Sequence, residues 1–468
     1  MQKKQIFNFG IIFFVGIVLW FIPHSKDLNP EGWHLFAIFV ATILGIVLKP
    51  LPIGAIAILS MCVATITHTI SLEVALGGFH NTISWLVVFA FFISRGFIKT
   101  GLGERIAYYF VSIFGKKTLG LSYSLLTSEL ILAPAIPSVT ARTGGVIFPI
   151  ARGLARSFGS DPDLGTERKI GSFLMFVAYQ GSVITSAMFL TAMAANPFLV
   201  GLLQEAGYNI SWGMWASAAI LPGLISLVLM PLIVYKLYPP SIKQTPHAAQ
   251  IAKNKLSEMG KLQSKEWLML GIFVLLIALW VFGSVIHIKA TLAALVGLSL
   301  ILFFGVLDWK DVTNESSAWD TFIWFSTLIM LATSLNKLGF TPWFSEQVVG
   351  LVHGMNWVWA FLILIAIYFY SHYFFASSTA HVGALFPSFL MVAIGIGAPP
   401  TLAILVFAFS SNLFGGLTHY GSGPAPLYYG SRYVDVKSWW KFGFILSLAN
   451  IAIWLGLGPI WWHLLGYW

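Results

Sequence analysis

The stretch Pro137-Ser138-Val139-Thr140-Ala141-Arg142-Thr143-Gly144-Gly145 interrupts an apolar segment with hydroxyl groups, one fixed positive charge and two glycines. It does not resemble an ordinary lipid-facing turn of helix. A second stretch, Ser377-Ser378-Thr379-Ala380-His381-Val382-Gly383, repeats the pattern Ser-x-Thr-Ala-basic-x-Gly at a spacing of 239 residues (377 − 138). Asn81-Thr82-Ile83-Ser84-Trp85 and Asp320-Thr321-Phe322-Ile323-Trp324 match at the same spacing. Two matches at one spacing indicate a duplicated half.

The composition predicts an all-α polytopic membrane protein. Of the 468 residues, 58% are hydrophobic and only 9% are charged, whereas about 25% are charged in an ordinary soluble domain. The net charge of +9 does not indicate nucleic-acid binding, because basic residues in alternate loops orient a membrane protein in its bilayer. The single cysteine, Cys62, cannot form a disulfide within the chain.

Apolar runs predict eleven spans, since about 20 apolar residues cross the ~30 Å hydrocarbon layer as a helix. The predicted spans are residues 6–22, 33–48, 53–67, 81–100, 170–203, 214–235, 267–286, 291–307, 320–336, 399–431 and 440–462. The first repeat is predicted to comprise residues 1–235, with scaffold spans in 1–100, and the second to comprise residues 267–468. Residues 236–266 read as a polar cytoplasmic linker between the repeats.

Two further segments are too short or too polar to span. Residues 102–114 mix apolar positions with Glu104 and Arg105, which predicts an amphipathic helix along the cytoplasmic surface. In residues 120–150 each apolar flank of the first motif has about 14 residues and reaches only ~20 Å as helix. We therefore expect a re-entrant helical hairpin there, with its tip at mid-membrane, and a second hairpin at residues 357–395.

Two of the spans are predicted to be broken. Residues 170–203 are too long for one straight crossing, and Gly181-Ser182-Val183-Ile184-Thr185-Ser186 in their middle predicts the break. The span at 399–431 is interrupted by four glycines and two prolines between residues 410 and 429. Non-helical backbone at this depth is tolerated only where protein or a water-filled cavity satisfies its polar groups.

The distribution of basic residues predicts the orientation. With the N-terminus in the cytoplasm, only Lys26, Lys289 and Lys337 of the 26 basic residues face outward, in accord with the positive-inside rule. The C-terminus is then outside. Because an odd number of crossings separates equivalent points of the two repeats, the repeats are predicted to be inverted in the membrane.

Inverted repeats whose broken helices meet at mid-membrane are typical of secondary transporters. Hydroxyl groups and helix N-termini are donors that suit oxyanions, and two such tips suit a ligand with two carboxylates. The hydroxyl-bearing residues predicted to surround one cavity are Ser138, Thr140, Ser377, Ser378 and Thr379.

These residues also have simpler explanations. A hydroxyl in a transmembrane helix commonly bonds to its own helix, although the repetition of the motif favours a ligand. Arg142 and His381 hold equivalent positions, and ionisable residues at such depth are functional by default; the alternative for Arg142 is a buried pair with Glu129. Arg95 is expected to extend towards the cytoplasmic surface. His372 and His419 are expected to lie next to the second motif. A role in the site and a purely structural role in the core are equally compatible with their positions.

Other functional classes fit the sequence less well. No catalytic triad, phosphate-binding loop or metal-ligand spacing is evident, so we expect no enzyme activity, no cofactor and no metal. An intramembrane hydrolase built on Ser377, His381 and His419 would lack a carboxylate to orient its base. A passive anion channel is a further alternative, which stimulation of uptake by internal substrate would exclude.

The two tips, together with one long run, resemble the divalent anion/sodium symporter superfamily. The run is Ser411-Asn412-Leu413-Phe414-Gly415-Gly416-Leu417-Thr418-His419-Tyr420-Gly421-Ser422-Gly423, followed by Tyr428-Tyr429-Gly430. The similarity covers nearly the whole chain and is greatest to bacterial citrate/succinate and tartrate/succinate antiporters and plastid 2-oxoglutarate/malate translocators. It implies a homodimer in a bacterial plasma membrane, in which a transport domain slides like an elevator against a scaffold.

The resemblance also implies roles for individual residues. In sodium-coupled members each tip carries Ser-Asn-Thr, which binds carboxylate and helps to hold sodium, whereas this chain has Ser138-Val139-Thr140 and Ser377-Ser378-Thr379. The substrate site implied for this chain comprises these six residues with Ser422 and Gly423. Further residues implied to line it are Thr185, Ser186, Asn412, Thr418 and His419.

The departure from the symporter pattern has a physical interpretation. A dianion at mid-membrane needs about two positive charges nearby, because burying uncompensated charge is expensive. Arg142 and a protonatable His381 are predicted to supply them in place of sodium. This predicts sodium-independent antiport of C4 and C5 dicarboxylates such as 2-oxoglutarate, malate and succinate. A sodium-coupled dicarboxylate or citrate symporter is the alternative.

Overall fold

The computed structural model describes residues 3–25, 27–351 and 354–468. Lys26, predicted to face outward, lies outside the described residues. The described chain is helical, and its one β-bridge joins Lys117 to Gln244.

Within the described part of the chain, twelve α-helices make up the first half and the linker. They are α1 Lys3–Phe21, α2 Pro30–Leu48, α3 Ile53–Ile66, α4 Leu72–Gly77, α5 Thr82–Thr100, α6 Leu102–Phe114, α7 Thr118–Leu132, α8 Phe148–Ser157, α9 Gly171–Met188, α10 Ala195–Glu205, α11 Trp212–Leu237 and α12 Pro246–Met259. A π-helical segment, Thr140–Ile147, leads into α8.

The second half, described apart from residues 352 and 353, contains eleven further α-helices. They are α13 Ser264–Phe282, α14 Ala290–Phe303, α15 Trp309–Thr313, α16 Ser316–Lys337, α17 Phe340–Leu351, α18 Trp357–Tyr370, α19 Ser378–Gly395, α20 Pro400–Leu413, α21 Ala425–Gly430, α22 Val436–Ile451 and α23 Gly458–Leu464. A short 3-10 segment, Ser371–Phe374, lies between the legs of the second hairpin.

The order of elements in the first half recurs in the second. From α2 to α11 and from α13 to α23, each half runs through a pair of helices, a short helix, a long helix, a surface helix, a hairpin, a broken helix and a final span. The surface helices α6 and α17 begin 238 residues apart, and the first hairpin legs α7 and α18 begin 239 residues apart. The duplication read from two short motifs therefore extends through the fold.

Helices occupy most of every predicted span. Within the described residues, nine helices are long and apolar enough to cross a membrane, and four shorter apolar helices accompany them. The bounds follow ordinary helix signals: Asn81 accepts a hydrogen bond from the backbone N–H of Ile83 at the start of α5, and Gly101 ends that helix with a φ of 73°. Glycine tolerates this left-handed geometry at little cost.

The linker between the halves contains more structure than a polar connector. Its helix α12 packs along the surface helix α6, and the two are joined by Arg105. The Arg105 guanidinium pairs with Glu266 at 2.6 Å and also donates to the carbonyl oxygen of Gly260 at 2.8 Å. A helix is present at 102–114, as predicted, and Arg105 fastens it to the linker.

The break predicted at Gly181–Ser186 is wrong. The helix α9 continues without interruption to Met188, and the chain leaves helical geometry only between Phe189 and Ala194. Gly181 serves close packing, because a side chain at that position would overlap Leu126 of α7. The break predicted in the later span is confirmed, since α20 ends at Leu413 and α21 begins at Ala425.

Gly443→Ala tests the packing of α22 against this second break. A Cβ at position 443 would lie 2.7 Å from the carbonyl oxygens of both Gly416 and Leu417, and overpacking of this kind costs about 1–3 kcal/mol. We expect a lower thermal midpoint in detergent. Gly271→Ala is the control, because nothing lies within 4 Å of that position; equal midpoints for the two variants would contradict the packing.

Candidate functional site

The two hairpin tips are built in the same way. The Ser138 hydroxyl oxygen accepts a hydrogen bond from the backbone N–H of Ala141 at 3.2 Å, and the Ser377 hydroxyl oxygen accepts one from Ala380 at 3.3 Å. Each serine therefore caps the second leg of its hairpin. The first-turn amides of a helix have no partner within that helix, so each tip presents donors and the positive end of a helix.

The tip side chains differ in how far they reach solvent. Thr140 is exposed, and Ser138 and Val139 are half-buried. In the second tip Ser377 and Thr379 are half-buried. Each tip thus offers one serine and one threonine that a ligand can reach.

The loop between α20 and α21 touches both tips. Ser378 of the second tip donates a hydrogen bond to the carbonyl oxygen of Gly421 at 3.3 Å. Gly423 approaches the first tip so closely that a side chain there would collide with the Thr140 hydroxyl. Ser422, between these two glycines, is buried at the junction. The structure therefore brings the two predicted tips and the predicted Ser422-Gly423 pair together.

Two residues that sequence reasoning missed hold this loop in place from α9. The Tyr179 hydroxyl donates to the carbonyl oxygen of Gly415 at 2.6 Å and lies 2.9 Å from the Ser422 hydroxyl. Gln180 donates from Nε2 to the carbonyl oxygen of Gly416 at 2.9 Å. An amide side chain in an apolar span was the available signal for Gln180; a lone tyrosine gives none.

Arg142 is completely buried beneath the first tip. Its Nε pairs with Glu129 Oε1 at 2.7 Å, so the alternative partner suggested by the sequence is present. Nη1 donates to the carbonyl oxygens of Ile136 at 2.6 Å and Ala192 at 2.7 Å, and Nη2 donates to the Ser186 hydroxyl at 3.2 Å. Arg142 thus joins the hairpin to the break between α9 and α10, and Glu129 already balances its charge.

His381, the equivalent residue of the second tip, has a different setting. It is fully buried, and its Nε2 lies 2.9 Å from the Ser371 hydroxyl. Its ring stacks on Tyr368 at a centroid distance of 4.8 Å and lies 4.4 Å from the ring of Phe414. Its Nδ1 has no hydrogen-bond partner among the described residues. The second tip therefore rests on an aromatic enclosure instead of an ion pair.

Two of the residues suggested to line the site form hydrogen bonds within α9. Thr185 bonds back to the carbonyl oxygen of Ser182 at 3.2 Å, and Ser186 bonds to the same oxygen at 2.6 Å while it accepts from Arg142. Both are fully buried. Their hydroxyls support the site from within the helix, and that of Ser186 does so through Arg142.

The other suggested residues also contact protein groups, and one of them, Asn412, connects the two halves. Asn412 donates from Nδ2 to Asn196 Oδ1 at 2.7 Å, and Asn196 was not predicted. His419 accepts a hydrogen bond at Nδ1 from the Trp440 indole at 3.0 Å. Thr418 is buried beside Gly421 in the loop between the tips.

The comparisons with known proteins agree with this architecture. The chain matches the family described as the sodium:sulfate symporter transmembrane region over residues 3–468. It is 57% identical over 455 residues to YflS of Bacillus subtilis (strain 168), provisionally named a malate transporter, covering 97% of this chain and 95% of that protein. It is 50% identical over 456 residues to dicarboxylate transporter 1, chloroplastic, of Spinacia oleracea, covering 97% and 80%. Its fold is similar to the crystal structure of the Alcanivorax borkumensis YdaH transporter, with a TM-score of 0.60 at 12% identity over 99% of this chain and 97% of that one.

Glu129→Gln tests whether the buried ion pair supports the first tip. The substitution leaves the Arg142 charge buried without a counter-charge, and breaking a buried pair in this way costs about 3–5 kcal/mol. We expect a large fall in thermal midpoint in detergent, partly reversed when Arg142→Gln is added. Glu258→Gln, which removes an exposed pair with Lys255, is the control and should change stability by less than about 1 kcal/mol. Similar losses in both single variants would contradict a special role for the buried pair.

Proposed function

Because the chain belongs to the divalent anion/sodium symporter family, and is therefore a membrane transporter and not an enzyme, we propose that it exchanges C4 and C5 dicarboxylates by sodium-independent antiport. The substrates belong to the class of 2-oxoglutarate, malate and succinate. The observation that supports the proposal most is the position of the Arg142 guanidinium. It lies beneath the first tip and donates to a carbonyl oxygen of the hairpin bend, at Ile136, and to one of the α9–α10 break, at Ala192.

The paired tips support a substrate with two carboxylates. Each tip offers a capped helix N-terminus together with accessible hydroxyls, and such ends bind oxyanions through backbone N–H groups and the helix dipole. The loop carrying Ser422 and Gly423 contacts both tips, so a short acid can be shared between them. The names of YflS and of the spinach relative, a malate and a dicarboxylate transporter, agree with this substrate class.

The position of Arg142 supports independence from sodium. In secondary transporters, unwound backbone carbonyls and half-helix ends coordinate the coupling ion. Here Arg142 Nη1 donates to the carbonyl oxygens of Ile136 and Ala192, one from each neighbouring break. A guanidinium between these oxygens repels sodium and takes the ligands that it would need. Arg142 therefore substitutes for the ion in this proposal, although Glu129 rather than the substrate balances its charge.

The need for exchange follows from the donors at the tips. Without substrate, the first-turn amides and the hydroxyls of Thr140 and Thr379 would cross the membrane without acceptors, and each unsatisfied buried donor costs about 1–3 kcal/mol. A bound dicarboxylate satisfies them. The loaded carrier then moves more readily than the empty one, which gives one-for-one exchange.

The hairpins and broken helices are proposed to move together as the transport domain of an elevator, within each protomer of a homodimer. Two contacts support a single moving unit, because they join the two halves: Asn196 to Asn412, and Tyr179 to Ser422. We further propose that the protein resides in a bacterial plasma membrane, with its N-terminus in the cytoplasm and its C-terminus outside. The basic residues predicted for the cytoplasmic loops support this orientation.

Exchange can be measured directly in proteoliposomes. Vesicles loaded with malate should take up labelled malate or 2-oxoglutarate without sodium, and empty vesicles should take up little. A sodium gradient should change neither rate. Equal uptake into empty vesicles that depends on sodium would replace this proposal with the alternative, a sodium-coupled symporter; uptake into empty vesicles without sodium would indicate a channel.

Thr140→Val and Thr379→Val test the proposed substrate contacts. Valine keeps the shape of threonine and removes the hydroxyl, and a hydrogen bond to a charged group contributes about 1.5–3 kcal/mol. We expect the KM for dicarboxylate to rise about tenfold or more in either variant. Thr65→Val is the control, because Thr65 bonds back to its own helix at Met61, away from the tips. An unchanged KM in both tip variants would remove these residues from the site.

A further inference from the structure

A polar cavity lies beside α8, the second leg of the first hairpin. Its volume is about 310 Å³, within the range of small-molecule sites. Its charged lining consists of Arg152, Arg156, Asp161, Asp163 and Arg432. None of these residues belongs to the tips, and by the proposed orientation the cavity opens to the cytoplasm.

One arginine in this cavity lacks a counter-charge. Arg156 pairs with Asp161 at 3.1 Å, and Arg432 pairs with Asp163. Arg152 forms no ion pair among the described residues, and its buried Nε has no hydrogen-bond partner there. Three guanidinium groups against two carboxylates leave the lining with a net charge of +1. A buried donor without a partner is costly, so this cavity favours an anion that can accept from Arg152.

The cavity is close to the first tip. Gly430 lines the cavity at the end of α21, and this six-residue helix begins two residues after Gly423, which meets Thr140. Six helical residues span ~9 Å. Leu427 of the same helix lines the cavity and would touch a side chain placed at Gly144 of the tip, at 2.8 Å. One short helix therefore separates the cavity from the proposed substrate site.

We propose that this arginine cavity is a carboxylate-docking site, which a dicarboxylate occupies on the cytoplasmic side before it enters the tips and after it leaves them. The inference rests on the function proposed above. One carboxylate of the substrate accepts from the free Arg152, since a guanidinium matches the geometry of a carboxylate. The two ion pairs keep the net charge small, so the substrate is attracted but released readily.

Two substitutions should change docking in opposite directions. Arg152→Gln removes the free charge and should raise the KM about fivefold for substrate offered on the cytoplasmic side. Asp163→Asn frees Arg432, raises the net charge of the lining to +2 and should lower that KM. Both effects should shrink at high salt, because exposed charges are screened. A merely structural role for these residues would not produce opposite signs.

The measurement requires defined sides. Exchange is followed in inside-out and right-side-out membrane vesicles, and only the inside-out vesicles, whose cytoplasmic face meets the bath, should show the two shifts. Arg168→Gln is the matched control: Arg168 lies outside the cavity lining, with its guanidinium 3.6 Å from the centre of the Tyr238 ring. The docking proposal is contradicted if the KM shifts in the same direction in both test variants. It is also contradicted if neither KM shifts while the wild type exchanges.

A binding measurement separates this inference from the proposed function. The wild-type protein in detergent is treated with phenylglyoxal, which modifies arginine, and the modified residues are identified by mass spectrometry. Malate should slow modification of Arg152 severalfold and leave that of Arg168 unchanged. This result is expected whether or not the protein exchanges dicarboxylates in the vesicle experiment. Docking is refuted if malate does not protect Arg152 at a concentration that saturates exchange, or at millimolar concentration where there is no exchange. Protection of Arg152 without exchange would refute only the proposed antiport.

Discussion

Backbone that leaves helical geometry inside a bilayer must find its hydrogen bonds within the protein, and the whole site follows from how this chain meets that requirement. Arg142 donates to the carbonyl oxygen of Ile136 at the bend of the first hairpin, and to that of Ala192 in the first broken span, between α9 and α10. Asn196 donates to the carbonyl oxygen of Phe189 in the same break. Polar side chains that looked like ligand groups in the sequence thus first satisfy the protein, and the tips keep first-turn backbone N–H groups that have no partner within their own helix.

The second break takes its donors from the other half of the chain. Tyr179 and Gln180, both on α9, donate to the carbonyl oxygens of Gly415 and Gly416. The two halves are therefore not independent units placed side by side, because the break in one is completed by a helix of the other. This mutual dependence makes the tips and the loop between α20 and α21 one connected body, which is the physical basis for treating them as a unit that moves together.

The sequence predicted the duplication, the spans and the two tips, because apolar length and repeated motifs depend on local composition. It placed the break of α9 wrongly, since Gly181 and the hydroxyls near it are typical both of a broken helix and of a tightly packed one. Only the neighbour Leu126 decides between these alternatives, and it lies on another helix. The same reason explains why Tyr179 and Asn196 were missed, since their roles depend on partners more than 200 residues away.

The arrangement of arginines follows the cost of charge at each depth. A bare charge in the hydrocarbon region is expensive, and Arg142, which is fully buried, is neutralised by Glu129. Arg152 lines a polar cavity that by the proposed orientation opens to the cytoplasm, and it has no counter-charge among the described residues. The unpaired Arg152 therefore provides the long-range attraction of an anion at a position where an unpaired charge costs little free energy. The tips provide hydrogen bonds and helix dipoles instead. In the proposed exchange, a dicarboxylate that moves inward leaves the attraction of a charge for directed hydrogen bonds, and the empty tips keep donors that resist crossing.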